Sequence, residues 1–86
     1  MSNTGVFSVD VDLGVVLAKQ VKDPRYQKPK ITVELAGPVA INQLINYLGI
    51  PGAYIGFVTV NGEKKDWASP LGPGDKIIFF PYITGG

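Results

Sequence analysis

One short amphipathic helix is predicted near the middle of a chain that is otherwise rich in strand-forming segments. Gly37-Pro38 ends the segment before it, and Pro38 suits the first turn of a helix, where its missing N–H costs nothing. Gly49 and Pro51-Gly52 stop the helix. Its apolar stripe follows the i, i+3, i+4, i+7 spacing and consists of Ile41, Leu44, Ile45 and Leu48. A chain of 86 residues with a single such helix is expected to lay it over one face of a β-sheet.

Four segments have the pattern of strands. Residues 6–13 alternate apolar and polar side chains, and residues 31–35 do the same, which predicts a hairpin with a long connection. Residues 14–17 are compatible with a continuation of the first strand, whereas the proline-containing, basic segment Lys19 to Lys30 is interpreted as a loop. Ile55–Val60 and Lys76–Pro81 are apolar on both faces, as expected of central strands covered on each side.

The order of these elements predicts the fold. Asn61-Gly62 is a tight-turn signature, and residues 63–75 are interpreted as a loop held on the core by Trp67 and Leu71. The right-handed rule for crossovers then places the helix on one face of a mixed sheet. We expect an α+β fold of the β-grasp (ubiquitin-like) type, with a four- to five-stranded sheet and one main helix. Residues 1–86 would form a single domain with a mobile tail over residues 83–86.

The composition excludes several classes of function. The chain has no Cys and no His, so it cannot form disulfides, use thiol chemistry or build a His-based relay or metal site. Catalysis by a carboxylate pair or by a Lys nucleophile is not excluded by composition, but the seven acidic residues are dispersed along the sequence. We therefore expect a protein that is not an enzyme and binds no metal or cofactor of its own.

Charge and hydropathy patterns bear on partners and location. The net charge is +1, without a basic stripe interleaved with aromatic residues, which disfavours a nucleic-acid partner. No apolar run is long enough to span a bilayer, and Met1 to Asp10 lacks the pattern of a signal peptide. A cytoplasmic protein without a membrane partner is predicted.

The sequence closes on Thr84-Gly85-Gly86, directly after a buried-looking strand. Two glycines at a terminus also occur in disordered tails and cloning scars. Here, however, they project from a fixed point of the sheet, and the chain before them offers no reactive side chain. Glycines without Cβ atoms can thread a narrow channel in conformations closed to other residues. The carboxylate of Gly86 is therefore the candidate reactive group, and Thr84 and Gly85 are the candidate threading residues.

Residues 70–86 resemble the C-terminal signature of the MoaD/ThiS family of sulfur carriers. The shared features are the Gly74-Asp75 turn, an apolar strand, a proline after it and a final Gly-Gly. Phe79-Phe80-Pro81 and Thr84-Gly85-Gly86 are most similar to the molybdopterin synthase small subunit, and the resemblance extends back to about residue 31. Residues 14–30 form a longer, more basic connection than the family usually carries, and Tyr82 stands where a second proline is common.

The resemblance implies a mechanism and partners. An E1-like enzyme would use ATP to adenylate Gly86, a sulfurtransferase would supply sulfur, and the thiocarboxylate would pass it to an acceptor such as the molybdopterin synthase large subunit. The sulfur could instead serve thiamine, tungsten-cofactor, cysteine or thiolated-tRNA synthesis. Two other classes stay open: a protein modifier that joins Gly86 to target lysines, and a plain interaction domain whose Gly-Gly is incidental.

Adjacent residues of a strand point to opposite faces, so Phe79 and Phe80 cannot both enter the core. We predict that Phe80 lies on the face away from the helix. In one interpretation the connection over residues 14–30 covers it. In the other, which the family resemblance favours, Phe80, Pro81 and Tyr82 form a docking surface for the activating enzyme.

Overall fold

The computed structural model describes residues 5–82. It contains five strands, two α-helices and two short 3₁₀ turns. In chain order they are β1 (Val6–Asp12), α1 (Gly14–Ala18), a 3₁₀ turn (Pro24–Tyr26), β2 (Lys30–Ala36), α2 (Ile41–Leu48), a 3₁₀ turn (Gly52–Tyr54), β3 (Ile55–Val60), β4 (Glu63–Lys65) and β5 (Lys76–Pro81).

The five strands form one mixed sheet in the order β2-β1-β5-β3-β4. β1 and β5 run parallel at its centre, and the other neighbouring pairs are antiparallel. Phe57 of β3 pairs with Phe80 of β5, and Asp12 of β1 pairs with Ile78 of β5. This arrangement, with one main helix, confirms the predicted β-grasp fold.

The core lies between α2 and one face of the sheet. Strands β1, β2, β3 and β5 contribute alternate residues to it, as the period of two requires, whereas the three residues of β4 are exposed. The apolar stripe of α2 is buried in full, which confirms the helix prediction. The core residues with exposures of 1% or less are Val9, Leu13, Leu17, Val33, Ile41, Leu44, Leu48, Val58 and Ile77.

Helix α2 has well-defined ends. The Ala40 backbone N–H donates to Oε1 of Gln43 (2.7 Å), which satisfies one of the free donors at the start. Gly49 follows with a φ of +77° and donates to the carbonyl oxygens of Ile45 and Asn46, a conformation that favours glycine. The predicted place of Pro38 in the first turn is wrong: Pro38 precedes Ala40, after a cis Gly37–Pro38 bond.

The connection between β1 and β2 differs from its prediction. Residues 14–18 form helix α1 rather than a continuation of β1, and the segment from Lys19 to Lys30 contains a 3₁₀ turn. Oδ1 of Asp12 accepts from the Gly14 N–H (3.1 Å) and so turns the chain out of the sheet. The connection then packs on the α2 side, where Leu17 and Val21 join the core. Among residues 5–82, no helix is long and apolar enough to cross a membrane.

The segment after β3 was predicted as a loop, but it begins with a short strand. Asn61 and Gly62 have φ values of 53° and 87°, which confirms the tight turn, and this turn brings β4 back beside β3. The register is Thr59 opposite Lys64. Leu71 is buried and Trp67 packs against the core, as predicted.

Candidate functional site

The candidate site begins with the two adjacent phenylalanines of β5. Phe79 is only 2% exposed and belongs to the core, whereas Phe80 is half-buried on the opposite face. This confirms the predicted orientation of the pair. The ring of Phe80 stacks on that of Phe57 from the neighbouring strand, with centroids 4.3 Å apart and planes 9° from parallel. The cross-strand register Phe57–Phe80 produces this contact.

The outer face of the sheet carries an apolar patch, hereafter the outer patch, of Phe57, Ile78 and Phe80. Phe57 is 38% exposed and Ile78 36%, so the prediction that β3 and β5 are covered on both faces is wrong. The interpretation in which residues 14–30 cover Phe80 is also wrong, because that connection packs beside α2. Nζ of Lys64 lies 5.3 Å from the centre of the Phe57 ring and places a positive charge at the edge of the patch.

The chain leaves β5 at a fixed point beside this patch. Pro81 pairs with Ile55, and the Tyr82 N–H donates to the carbonyl oxygen of Tyr54 (2.8 Å). Both tyrosines are exposed, Tyr54 at 49% and Tyr82 at 62%. The end of β5 is thus held by a backbone hydrogen bond to the 3₁₀ turn that precedes β3, and two aromatic side chains flank it.

Gly56 permits this close approach of the two strands. It lies in an irregularity of the β3–β5 register. A Cβ atom at this position would lie 3.0 Å from the carbonyl oxygen of Pro81 and 3.3 Å from Cα of Tyr82. These are tight contacts with backbone atoms, which cannot rotate away. The absence of a side chain at Gly56 therefore allows the backbone of Pro81 and Tyr82 to lie close to β3.

Three of the predicted site residues, Thr84, Gly85 and Gly86, lie outside the described residues, and their roles stay predictions. Of the other three, the structure brings Phe80 into the outer patch and places Pro81 and Tyr82 at the point where the chain leaves the sheet. Their docking role likewise stays a prediction.

Sequence reasoning did not assign three residues of this surface: Phe57, Ile78 and Tyr54. Ile78 is two residues from Phe80, so the period of two along β5 was sufficient to place it on the same face. Tyr54 had no such signal, because its contact with Tyr82 depends on the register of two distant strands.

A second feature of the outer face is an open groove of about 380 Å³ next to the patch. Its polar lining mixes both signs of charge: Asp10, Asp12, Lys30, Thr32 and Lys76. Oγ1 of Thr32 donates to Asp10 at 3.3 Å. Within the described part of the chain, no three His, Cys, Asp or Glu side chains cluster closely enough to hold a metal ion.

Residues 6–84 match the family described as Mut7-C ubiquitin. A comparison with curated protein sequences gives no match.

Two solved structures from Haloferax volcanii have similar folds. The crystal structure of SAMP1 has 20% sequence identity and a TM-score of 0.64, with 92% of this chain and 99% of that chain covered. The solution structure of the HVO 2177 protein has 16% identity and a TM-score of 0.75, with 100% of this chain and 92% of that chain covered. These identities support likeness of fold alone. Together with the family match over most of the sequence, they confirm the ubiquitin-like resemblance: the chain belongs to the Mut7-C ubiquitin family.

Proposed function

We propose that this chain is a ubiquitin-like sulfur carrier and that its reactive group is the C-terminal carboxylate of Gly86. The observation that carries the proposal is the exposed apolar surface beside the end of β5. It offers a docking area next to the point from which residues 83–86 continue. A carrier of this kind does no chemistry with its side chains, which is consistent with a sequence that lacks Cys and His.

The proposed chemistry converts the carboxylate of Gly86 in two steps. A carboxylate oxygen of Gly86 attacks the α-phosphorus of ATP in the active site of an E1-like partner, and pyrophosphate leaves. Hydrosulfide, or its equivalent delivered by a sulfurtransferase, then attacks the carbonyl carbon of the acyl-adenylate. AMP leaves, and the carboxylate has become a thiocarboxylate. The partner binds the ATP and supplies the catalysis.

The outer patch would orient the carrier for this step. Phe57, Ile78 and Phe80 offer apolar area that a partner can remove from water, and exposed aromatic side chains are frequent anchors of protein interfaces. Because β5 runs directly from the patch to Tyr82, a partner bound to Phe80 is positioned close to the tail. Docking and threading would thus occur in one encounter.

We further propose that the sulfur is used in molybdopterin synthesis in the cytoplasm, with the molybdopterin synthase large subunit as acceptor. The support is the similarity of Phe79-Phe80-Pro81 and Thr84-Gly85-Gly86 to the small subunit of that enzyme. An assay with the purified large subunit tests the pathway. Thiocarboxylated carrier is expected to convert the sulfur-free precursor, and no conversion would reassign the sulfur to another pathway.

The carrier function itself is tested by removing residues 85–86 from the protein. Pyrophosphate exchange with the E1-like partner is expected to disappear, and the thermal midpoint is expected to stay unchanged, because the deleted residues lie beyond every strand and helix described. Exchange that survives the truncation would refute the assignment to Gly86.

Intact-mass analysis of protein isolated from its native cell separates the carrier from a modifier. A carrier is expected to show replacement of one oxygen of Gly86 by sulfur. Gly86-linked conjugates without any thiocarboxylate would show a protein modifier instead, and a Gly86 found only as an unmodified carboxylate would contradict both.

A further inference from the structure

The connection over residues 14–30 concentrates the positive charge of the chain. It holds five basic residues and one acidic residue, a net charge of +4, whereas the rest of the sequence holds three basic and six acidic residues, a net charge of −3. The overall value of +1 therefore conceals a strongly uneven distribution. Such asymmetry produces a local potential that steers and orients charged partners.

The structure folds the middle of this connection against the C-terminal end of α2. The Lys22 N–H donates to the carbonyl oxygen of Leu48 (3.1 Å), and the side-chain amide of Gln27 donates to that of Val21 (2.8 Å). The second bond folds the connection back on itself. The ring of Tyr26 packs against that of Tyr47 on α2, with centroids 6.2 Å apart. Lys22 therefore lies beside the last turn of the helix, and the bond from Gln27 to Val21 brings the residues before Lys28 back towards it.

Only some of these charges are neutralised within the molecule. The guanidinium of Arg25 binds both carboxylate oxygens of Asp23, with a closest approach of 2.6 Å. The hydrogen bonds from Arg25 lower the pKa of Asp23, so this carboxylate stays ionised at neutral pH. Four exposed lysines of the connection have no carboxylate within 4.0 Å among residues 5–82. One of them, Lys30, begins β2 and lines the groove on the outer face. We call the other three the basic face: Lys19, Lys22 and Lys28.

The same contacts indicate what kind of anion fits. Recognition of nucleic acid commonly uses guanidinium groups that grip phosphate and aromatic faces on which bases stack. Here the guanidinium of Arg25 is already occupied by Asp23, and it lies 5.4 Å from the centre of the Tyr26 ring, over one side of it. Tyr47 packs against the same ring. What is free is a set of lysine ammonium groups beside a helix that has no charged residue of its own.

We propose that the basic face binds an acidic segment, rich in Asp and Glu, of a partner protein. Carboxylates need only point charges at a suitable spacing, and lysines on flexible stems supply them. The exposed side of α2 beside them, with Asn42 and Asn46, carries no formally charged side chain. The negative charge of the rest of the chain would repel the same segment and so confine it to this face.

This surface lies on the opposite side of the sheet from the outer patch. The connection packs with α2 on one face, whereas Phe57 and Phe80 lie on the other. A partner on the basic face can therefore stay bound while another occupies the outer patch. The inference does not depend on the chemistry proposed for Gly86.

Binding of a fluorescein-labelled decaglutamate peptide, measured by anisotropy, tests the proposal. The basic-face variant carries Gln at all three of its lysines. A control variant removes the same charge elsewhere through Lys64→Gln, Lys65→Gln and Lys76→Gln. Each exposed ion pair contributes little alone, so the expected loss for the basic-face variant is about tenfold, against less than about twofold for the control. Added salt is expected to weaken wild-type binding.

Two outcomes would overturn the proposal. Equal losses in the two variants would show that net charge alone governs binding. Tighter binding of a decauridine oligonucleotide than of decaglutamate, lost in the basic-face variant, would assign the face to RNA.

A measurement without variants gives an independent answer. On titration of the wild-type protein with decaglutamate, amide NMR shifts are expected over residues 19–28 and at the end of α2. Shifts centred on the outer patch would refute the location.

Discussion

Replacement of Phe80 by alanine separates a surface role from a core role. A fully buried Phe→Ala change costs about 3–5 kcal/mol of unfolding free energy, because it removes apolar burial and leaves a cavity. Phe80 is half-buried, and its main contact is the stacked ring of Phe57 at 4.3 Å. Such a pair contributes about 0.5–1.5 kcal/mol beyond its buried area. We expect Phe80→Ala to cost about 1–2 kcal/mol, since it forfeits the stacking and a fraction of the full burial.

Phe79→Ala is a matched control, because it makes the same chemical change one residue away, at a side chain that is 2% exposed. It is expected to cost about 3–5 kcal/mol. For a domain of this size 1 kcal/mol shifts the midpoint by about 4–8 °C, so thermal melting resolves the two variants.

Titration calorimetry with the E1-like enzyme supplies the second measurement. Phe80→Ala is expected to weaken binding at least about tenfold at a temperature where it is fully folded, as an aromatic anchor would. A loss of stability equal to that of Phe79→Ala would show that Phe80 is a core residue. Unchanged binding would refute the docking role.

Three further predictions concern the turns and edges of the site. Gly56→Ala is expected to lower the free energy of unfolding by about 1–3 kcal/mol, because its Cβ would make tight contacts with backbone atoms. Chemical denaturation measures this loss, and Gly72→Ala, whose Cβ would lie 3.8 Å from its nearest neighbour, is the control. Asn61→Ala is expected to lose about 1–3 kcal/mol, because it combines a left-handed backbone with lost side-chain hydrogen bonds, and Asn61→Gly should lose less. Equal losses would show that backbone conformation contributes nothing there. Lys64→Gln is expected to weaken binding to the E1-like enzyme while Lys65→Gln does not, and equal effects would exclude a specific role for the cation over the Phe57 ring.

The sequence predicted the elements whose signal is local. The stripe of α2 and the apolar runs of β3 and β5 gave the observed boundaries, because each repeats over at least six residues between strong terminators. Helix α1 has only five residues, with two β-branched valines that favour a strand. It is helical because Leu17 and Ala18 are buried in the core, which is a tertiary effect. Strand β4 has three residues, too few for any periodicity.

The same distinction applies to the candidate site. The opposite orientations of Phe79 and Phe80 follow from the period of a strand and were predicted. The connection over residues 14–30 packs beside α2, where the Lys22 N–H donates to the carbonyl oxygen of Leu48. No local sequence pattern predicts this long-range contact. The contact between Tyr54 and Tyr82, and the need for Gly56, depend on the irregular register of β3 against β5.

The central position of β5 has a consequence for how the protein is made. Of the five strands of this sheet, β5 is synthesised last, yet it is the one that joins β1 to β3. Until residues 76–81 have left the ribosome, the hairpins β1–β2 and β3–β4 have no sheet between them, and neither is stable alone. A nascent or prematurely terminated chain would therefore be a substrate for chaperones and proteases. The folded sheet, and with it the outer patch, can therefore form only in a chain that extends through β5.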